Sequence, residues 1–155
     1  MRTYAANNGN LPSYGYVKLN AVPVWQASWS GTFPNSRGVN VFRVDPYNCS
    51  VLESGRFDTH GDHNAGTQLR DSLQQLHRGS IIVGVTADEP TRYLASALPI
   101  LKEMGADVGD VKFTGSFGFV AQKGFPAKTV LREALTMAGS NTNQAQFLAT
   151  VTGAT

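Results

Sequence analysis

The sequence predicts an α+β (mixed α/β) sandwich. Its first third is rich in β-forming residues, and helical periodicity then alternates with strands, which is the pattern of a sheet covered by helices. No internal repeat interrupts this order, and 155 residues are enough for one domain to bury a core without disulfide support. We therefore expect residues 1–155 to form a single domain.

The N-terminal part is predicted to be mostly strand. Residues 1–13 are polar and contain Asn-Gly and Pro, so we expect a loose arm there. Residues 14–29 alternate imperfectly between apolar and polar, and Pro23 within them favours an edge strand or a break. Residues 39–44 and 51–57 are two β runs joined by a polar turn, which predicts a hairpin.

Three helices are predicted in the second half. Leucines spaced i, i+4, i+7 within residues 69–79 put an apolar stripe on one face of a helix that glycine ends. A second helix is expected from about residue 91 to residue 105. Pro99 inside this pattern means that the helix is either kinked there or starts late, and we favour the kink. Residues 128–137 predict a short third helix, with its apolar side chains facing inward.

Three further strands are expected between and after these helices. Residues 81–85 form a continuous β-rich apolar run, which is typical of a central strand buried on both faces. Residues 113–120 read F-T-G-S-F-G-F-V, and their glycines indicate a bulge or the close approach of another backbone. Residues 146–152 predict a final strand.

Composition excludes several classes of function. The net charge is +2, only 15% of residues are charged, and no basic cluster offers a footprint for nucleic acid. No window of about 18 apolar residues predicts a membrane span, and no apolar region after Met1 predicts a secretory signal. Cys49 is the only cysteine, which rules out an intramolecular disulfide and a cysteine-based metal site. Abundant Gly, Asn, Ser and Thr favour an extracellular or virion surface protein.

The densest polar cluster is Asp58-Thr59-His60-Gly61-Asp62-His63. Imidazole and carboxylate groups at this density could hold a divalent ion, but zinc sites need three or four ligands at defined spacing. We favour the alternative that Asp or Asn side chains here cap the following helix. No metal or other cofactor is therefore expected.

A second acidic turn, Asp88-Glu89, directly follows the buried strand. Carboxylates at a strand end can accept hydrogen bonds from the hydroxyl groups of a sugar, and they can equally stabilise the start of the next helix through its dipole. A glycosidase would need two carboxylates across a cleft, for which Asp58 and Asp88 are the candidates. No nucleophile elbow or phosphate-binding loop is present, so we expect binding rather than catalysis.

Several of these blocks, in this order and spacing, resemble the interleukin-like EMT inducer family, also called pancreatic-derived-factor-like. The matching blocks are Ser36-Arg37-Gly38-Val39-Asn40, Arg56-Phe57-Asp58-Thr59, the helix ending at Gly79, the strand ending at Asp88-Glu89, the segment from Arg92 to Gly105, and Phe117-Gly118-Phe119-Val120-Ala121-Gln122-Lys123-Gly124. The resemblance implies two mainly antiparallel β-sheets flanked by about three short helices.

The family resemblance also implies a function. Its members include secreted cytokine-like proteins and a non-catalytic stem domain that binds β-linked N-acetylglucosamine. That sugar site resembles the region of the two acidic turns here, which gives the candidate carbohydrate-binding residues Asp58, Thr59, His60, Asp88, Glu89 and Arg92. Two family features differ: Thr114-Gly115 replaces an Arg-Asp pair, and Ala87 stands where the stem domain has a basic residue.

We therefore predict a secreted, non-enzymatic, lectin-like domain whose partners are N-acetylglucosamine-type glycans. Weak single sites would be strengthened if the domain formed a homo-oligomer. The alternatives are a cytokine-like protein-interaction module, a structural module of a virion or surface fibre, and a glycan-cleaving enzyme.

Overall fold

The computed structural model describes residues 2–5, 16–26, 29–30, 33–34, 36–113, 115–134 and 147–150. The strands are β1 Arg2–Ala5, β2 Tyr16–Leu19, β3 Val22–Gln26, β4 Trp29–Ser30, β5 Phe33–Pro34, β6 Gly38–Val44, β7 Val51–Phe57, β8 Ile81–Ala87, β9 Ser116–Gln122, β10 Val130–Ala134 and β11 Phe147–Thr150. The helices are α1 Ala65–Gln74 and α2 Leu98–Glu103, with 3₁₀ turns at Ala95–Ala97 and Pro126–Lys128.

A five-stranded antiparallel sheet forms the centre of the molecule, in the order β10-β9-β8-β6-β7. Three two-stranded antiparallel pairs, β1–β11, β2–β3 and β4–β5, complete the strands of the described residues. The α+β class and the antiparallel pairing are confirmed. So are the hairpin formed by β6 and β7 and the central strand β8, whose residues are all buried.

The helices differ in number and limits from the prediction. The first predicted helix is α1, whereas the second is shorter than expected and begins only at Leu98. Pro99 lies in the first turn of α2, so the favoured kink is wrong and the alternative of a late helix start is confirmed. Proline is tolerated there because the first N–H groups of a helix have no intrahelical partner.

The predicted third helix is wrong. Residues 130–134 form β10, which pairs with β9 in a regular antiparallel register, and residues 135–137 lie outside the described residues. Val130 and Leu131 pack on opposite faces of the sheet, an alternation that a strand provides. The described part of the chain therefore has two α-helices rather than three, because pairing with β9 overrides local helical preference.

Smaller differences occur at the chain start and before β9. Residues 2–5, expected in a loose arm, form β1 and pair with β11, which confirms the final strand; the rest of residues 1–13 lies outside the described part. Pro23 lies in β3, which among the described strands pairs only with β2, so the edge-strand alternative is confirmed; it also lies opposite a register shift in β2. Phe113, expected in the aromatic strand, precedes β9 and is 61% exposed.

Each face of the central sheet carries its own core. On one face α1 and α2 cover alternate residues of the sheet, among them Val39, Val41, Ile82, Phe117 and Phe119. On the opposite face the hairpin β2–β3 covers a second set, formed by Phe42, Val44, Ile81, Val83, Val85 and Val120. Neither α1 nor α2 has the length that a helix needs to cross a membrane.

The register of the sheet decides where the acidic turns lie. Gly38, the first residue of β6, pairs with Ala87 at the end of β8, and the next residue, Val39, pairs with Phe57 at the end of β7. Gly38 has φ +100°, and a Cβ atom there would overlap the carbonyl oxygen of Phe57. The chain segments that follow β7 and β8 therefore both begin at the end of the sheet where β6 starts, one on each side of β6.

Candidate functional site

Two acidic turns form the candidate site. We call residues 58–63 the Asp58 turn and residues 88–92 the Asp88 turn. The Thr59 hydroxyl donates a hydrogen bond to the carbonyl oxygen of Pro90 over 2.6 Å, and Tyr93 N–H donates to the carbonyl oxygen of Thr59 over 2.7 Å. Thr59 is fully buried, so its contribution is to hold the two turns together.

Asp58 is held by two arginines and a backbone amide. Arg37 donates to both carboxylate oxygens, from Nε over 2.9 Å and from Nη2 over 2.8 Å. Gly61 N–H donates to Oδ1 over 2.9 Å, and Arg56 Nη2 lies 3.4 Å from Oδ2. A carboxylate has about four acceptor positions, so three hydrogen bonds and the ion pair with Arg56 engage most of the acceptor capacity of Asp58.

The electrostatics of Asp58 agree with this arrangement. Partial burial alone would raise the pKa of Asp58, but the hydrogen bonds from Arg37 and Gly61 outweigh it and hold the pKa below its ordinary value. Arg37 shows the reciprocal effect, since its hydrogen bond to Asp58 raises the pKa of its guanidinium. Asp58 therefore stays ionised and acts as the fixed point on which the two arginines are oriented.

Glu89 organises the Asp88 turn from inside. Its carboxylate accepts hydrogen bonds from Thr91 N–H over 2.8 Å, from the Thr91 hydroxyl, and from Arg92 N–H over 3.2 Å. The residue is 3% exposed. Burial opposes ionisation, but the hydrogen bonds from Thr91 and His60 lower the pKa of Glu89 below its ordinary value.

His60 connects Glu89 to the surface. Its Nδ1 lies 2.8 Å from Glu89 Oε2, and because the carboxylate is ionised, Nδ1 must carry the proton. Nε2 is then the ring nitrogen available to another partner. The His60 ring also lies 6.2 Å from the ring of Phe113, measured between centroids, with the planes tilted by 44°.

Asp88 differs from both of the other acids. It has φ +57°, a left-handed conformation that is uncommon for residues other than glycine. Burial raises the pKa of Asp88, while the charge of Arg37 acts in the opposite direction. The side chain of Arg92, which is exposed, lies over the ring of Tyr93 at 5.0 Å.

The structure places all six predicted site residues in these two turns, but they differ in burial and in their contacts. Thr59 and Glu89 are buried supports, and Asp58 is engaged with arginines. Arg92 is exposed, and His60 and Asp88 are partly exposed.

Three further residues belong to the same region: Arg37, Arg56 and Phe113. Arg37 and Arg56 stand in the family blocks of the sequence, but only the register of β6 and β7 shows that both reach Asp58. Nothing in the sequence distinguishes Phe113 from the core aromatics of the strand that follows it.

The acidic turns act neither as the predicted side-chain cap of α1 nor as charges at the start of α2. Asn64 is the N-cap of α1 and makes no side-chain capping hydrogen bond, while Asp62 accepts from Asn64 N–H over 2.8 Å in a local turn. The predicted helix cap is therefore wrong. The dipole interpretation of Asp88-Glu89 fails as well, since α2 begins several residues later at Leu98. Among the residues that the structure describes, no group of three or more His, Cys, Asp and Glu side chains is placed to hold a metal ion.

The fold and the site define a small α+β domain with a polar end built from two rigid turns. Comparison with known families agrees with the resemblance seen in the sequence. The family model of the interleukin-like EMT inducer matches residues 37–125, more than half of the chain. The chain belongs to the interleukin-like EMT inducer family. The matched segment begins at Arg37, the partner of Asp58, and contains both acidic turns.

Proposed function

We propose that this domain is a non-enzymatic carbohydrate-binding module and that its site is the polar end formed by the two acidic turns. One observation carries the proposal: a fixed polar cluster lies beside the exposed ring of Phe113, which contacts His60. Binding pockets for small ligands combine an apolar surface with a few positioned polar groups. A sugar ring has an apolar face that can stack on an aromatic ring and hydroxyl groups that need such polar partners.

Each side chain then has a stated role. Phe113 covers the apolar face of the sugar, and Arg56 and Arg92 donate hydrogen bonds to its oxygens. Nε2 of His60 accepts from a hydroxyl group, because the ring proton is on Nδ1. Asp88 accepts from hydroxyl groups. Asp58 and Glu89 act indirectly, since they orient Arg56 and His60 through the contacts described above.

The contacts that engage the carboxylate oxygens of Asp58 support binding rather than hydrolysis. The pKa of Asp88 is raised and that of Asp58 is lowered, a divergence that glycosidases use to separate an acid from a base or nucleophile. A base or nucleophile needs a free lone pair, however, and the oxygens of Asp58 are engaged by Arg37, Arg56 and Gly61. We therefore propose no catalytic residue.

Glycans that contain N-acetylglucosamine are the ligands we propose first, because the family includes a domain that binds this sugar. A single site of this kind should bind at about millimolar to micromolar concentration, since hydroxyl groups exchange water for protein with little net gain. We propose an extracellular location and a multivalent form, in which several weak sites act together.

A glycan array tests the proposal, with the protein displayed as a multimer and free N-acetylglucosamine as competitor. Phe113→Ala should weaken glycan binding by about tenfold or more, because a stacked ring contributes on the order of 1–2 kcal/mol. Tyr47→Ala is the matched control. Tyr47 is also an exposed aromatic residue, at 89%, but it lies in the turn between β6 and β7 at the far end of the sheet.

The melting temperature of both variants should equal that of the parent protein, since neither ring is buried. If the folded multimer binds no glycan on the array, the carbohydrate proposal is wrong. If Tyr47→Ala reduces binding as much as Phe113→Ala, the site has been assigned to the wrong end of the sheet.

A second candidate function, protein interaction, is favoured by apolar side chains near the turn between β6 and β7. Tyr47, Val51 and Leu52 are 89%, 36% and 45% exposed. A cytokine-like module that binds through this patch would lose its partner on Leu52→Ser and would be insensitive to N-acetylglucosamine. Competition with the free sugar therefore separates the two candidates. The surface-fibre alternative stays a prediction from the sequence.

A further inference from the structure

The turn between β6 and β7 carries a modification motif that the carbohydrate site does not use. Residues 48–50 read Asn-Cys-Ser, which fits the acceptor pattern for asparagine-linked glycosylation, N-x-S/T with a middle residue other than proline. It is the only such triplet in the 155 residues, so an asparagine-linked glycan on this chain would have to be attached to Asn48. The motif has this meaning only on an accessible surface turn, which the structure tests.

The turn is ordered by its own hydrogen bonds and presents the motif to solvent. Oδ1 of Asp45 accepts from the N–H groups of Tyr47 over 2.7 Å and Asn48 over 3.2 Å. Cys49 follows with φ +62°, and its N–H donates to the carbonyl oxygen of Asp45 over 2.9 Å. Asn48 and Ser50, the first and third residues of the motif, are both exposed.

The carboxamide of Asn48 is engaged through its oxygen. Oδ1 accepts the N–H of Ser50 over 2.9 Å. Within the part of the chain that the structure describes, Nδ2 donates no hydrogen bond, although an amide nitrogen has two N–H groups to donate. The nitrogen to which a sugar would be attached is therefore accessible, and attachment would break no contact among the described residues.

The surroundings of the turn can accept a sugar. Three neighbouring apolar side chains, those of Tyr47, Val51 and Leu52, are exposed. The first sugar of an attached glycan has an apolar face, for which aromatic and aliphatic side chains are suitable contacts. The turn lies at the end of the sheet opposite the acidic turns, so a glycan there leaves the carbohydrate site open.

We propose that Asn48 is a site of asparagine-linked glycosylation, with an oligosaccharide carried on a lipid pyrophosphate as the donor. Nδ2 forms a bond to the anomeric carbon of the first sugar and loses one proton. The bond between that carbon and the pyrophosphate oxygen breaks, and the lipid pyrophosphate leaves with the electron pair. The proposal rests on the extracellular location proposed above and not on sugar binding by the acidic turns.

The modification also affects the second candidate function. An attached glycan lies over Tyr47, Val51 and Leu52, the exposed side chains through which a cytokine-like module would bind its partner. Glycosylation at Asn48 therefore shields this patch and favours the carbohydrate-binding function.

Expression of the full chain behind a secretory leader peptide in cultured mammalian cells tests the proposal. Protein is recovered from both medium and cells, so the readout does not depend on secretion. Peptide-N-glycosidase in ¹⁸O-labelled water removes the glycan and leaves a labelled aspartate in place of Asn48. Trypsin cleaves after Arg43 and Arg56, which puts position 48 in the peptide 44–56. We expect the label there in at least about half of the molecules.

Variants of the motif separate its chemistry from the shape of the turn. Asn48→Gln and Ser50→Ala should each abolish the label, because the pattern requires asparagine at the first position and a hydroxyl at the third. Ser50→Thr should retain it. Ser54→Ala is the control, since Ser54 is an exposed serine of β7 outside the motif, and it should leave the label unchanged.

Absence of the label from position 48 in both fractions would overturn the proposal. So would a melting temperature of the glycosylated protein several degrees below that of Asn48→Gln, because a glycan on an exposed turn should not destabilise the fold. Glycan-array binding by bacterially produced Asn48→Gln should equal that of the parent. Failure of the glycosylation proposal therefore leaves the carbohydrate proposal standing, and failure on the array leaves the modification site standing.

Discussion

The two acidic turns resemble each other in sequence but stabilise the fold by different means. The Asp58 turn is fixed by side chains, because Arg37, directly before β6, and Arg56 of β7 converge on one carboxylate. The Asp88 turn is fixed mainly by backbone, because Glu89 accepts the N–H groups of Thr91 and Arg92 beside it. One turn depends on the register of the sheet, whereas the other depends mostly on its own local chain.

The two turns show that the position of a carboxylate directly after a strand does not determine its role. Asp58 and Glu89 have lowered pKa values because hydrogen-bond donors surround them, and Asp88 has a raised pKa because burial dominates. The first two are structural groups. Burying the ionised carboxylate of Asp88 destabilises the folded protein, and destabilising features of this kind are often retained at functional sites.

The largest effect is expected where both turns meet, at Gly38. Gly38→Ala should destabilise the fold by about 4 kcal/mol, because the new Cβ overlaps the carbonyl oxygen of Phe57 and comes within 2.8 Å of the amide nitrogen of Thr59. Chemical denaturation measures the loss.

Gly79→Ala is the control for Gly38→Ala, since Gly79 has φ +91° but its Cβ would meet no atom within 4 Å. It should lose only about 1 kcal/mol. Equal losses at the two glycines would mean that φ alone, and not the junction of the turns, sets the cost.

Asp58→Asn should disrupt the Asp58 turn and lower the free energy of unfolding by about 2–3 kcal/mol at pH 7. The loss is below that for a fully buried pair because the Asp58 side chain is 23% exposed. Asp71→Asn, which alters an exposed acid paired with Arg70, should change stability by less than about 0.5 kcal/mol.

The effect of Asp58→Asn also has a defined pH dependence. Because the pKa of Asp58 is lowered in the folded state, its contribution is fully present above the unfolded value of about 3.9. It is lost as pH falls through the folded pKa. The stability difference between the parent and Asp58→Asn should therefore shrink below about pH 4, and a difference that grew on acidification would contradict the assignment.

Glu89→Gln should loosen the Asp88 turn and lower the free energy of unfolding by about 1–2 kcal/mol, because an amide offers one acceptor oxygen where the carboxylate has two. Hydrogen exchange should locate the change at the amides of Thr91 and Arg92, which donate to Glu89. Glu103→Gln, at the exposed end of α2, serves as control and should leave both amides protected. Unchanged exchange at Thr91 in Glu89→Gln would show that the turn does not depend on this carboxylate.

Asp88→Asn has the smallest expected effect on stability and the opposite sign. A raised pKa means that the ionised form is disfavoured in the fold, so the neutral amide should stabilise the protein at pH 7, by less than about 0.5 kcal/mol because Asp88 is partly exposed. Asn also tolerates the φ of +57° at this position. Glycan affinity should nevertheless fall, since the amide replaces an ionised acceptor. A loss of stability at pH 7 would show that Asp88 is structural, like Asp58.

The helical part of the prediction failed where local pattern and long-range pairing disagree. Residues 130–134 carry a pattern that a helix could use, yet they complete the sheet beside β9. At Pro99 the kink is wrong and the alternative of a late helix start is correct, since α2 begins at Leu98; the sequence shows no capping signal at Ala97 that would have located this start. The hairpin β6–β7 and the strand β8 were predicted correctly because their β-branched runs and turn residues act locally.

By itself the sequence determined the α+β class, the antiparallel hairpin, the buried central strand, the family and the six polar residues that lie in the two turns. The fold elements follow from periodicity and turn chemistry, whereas the family and the six residues follow from the resemblance of the ordered motifs. All of these are properties of short stretches of chain. Only the tertiary structure decided that Arg37 and Arg56 meet at Asp58, that Glu89 is buried and that Phe113 is exposed beside His60. Those facts depend on strand register, which joins residues distant in sequence and is fixed by the packing of both faces of the sheet.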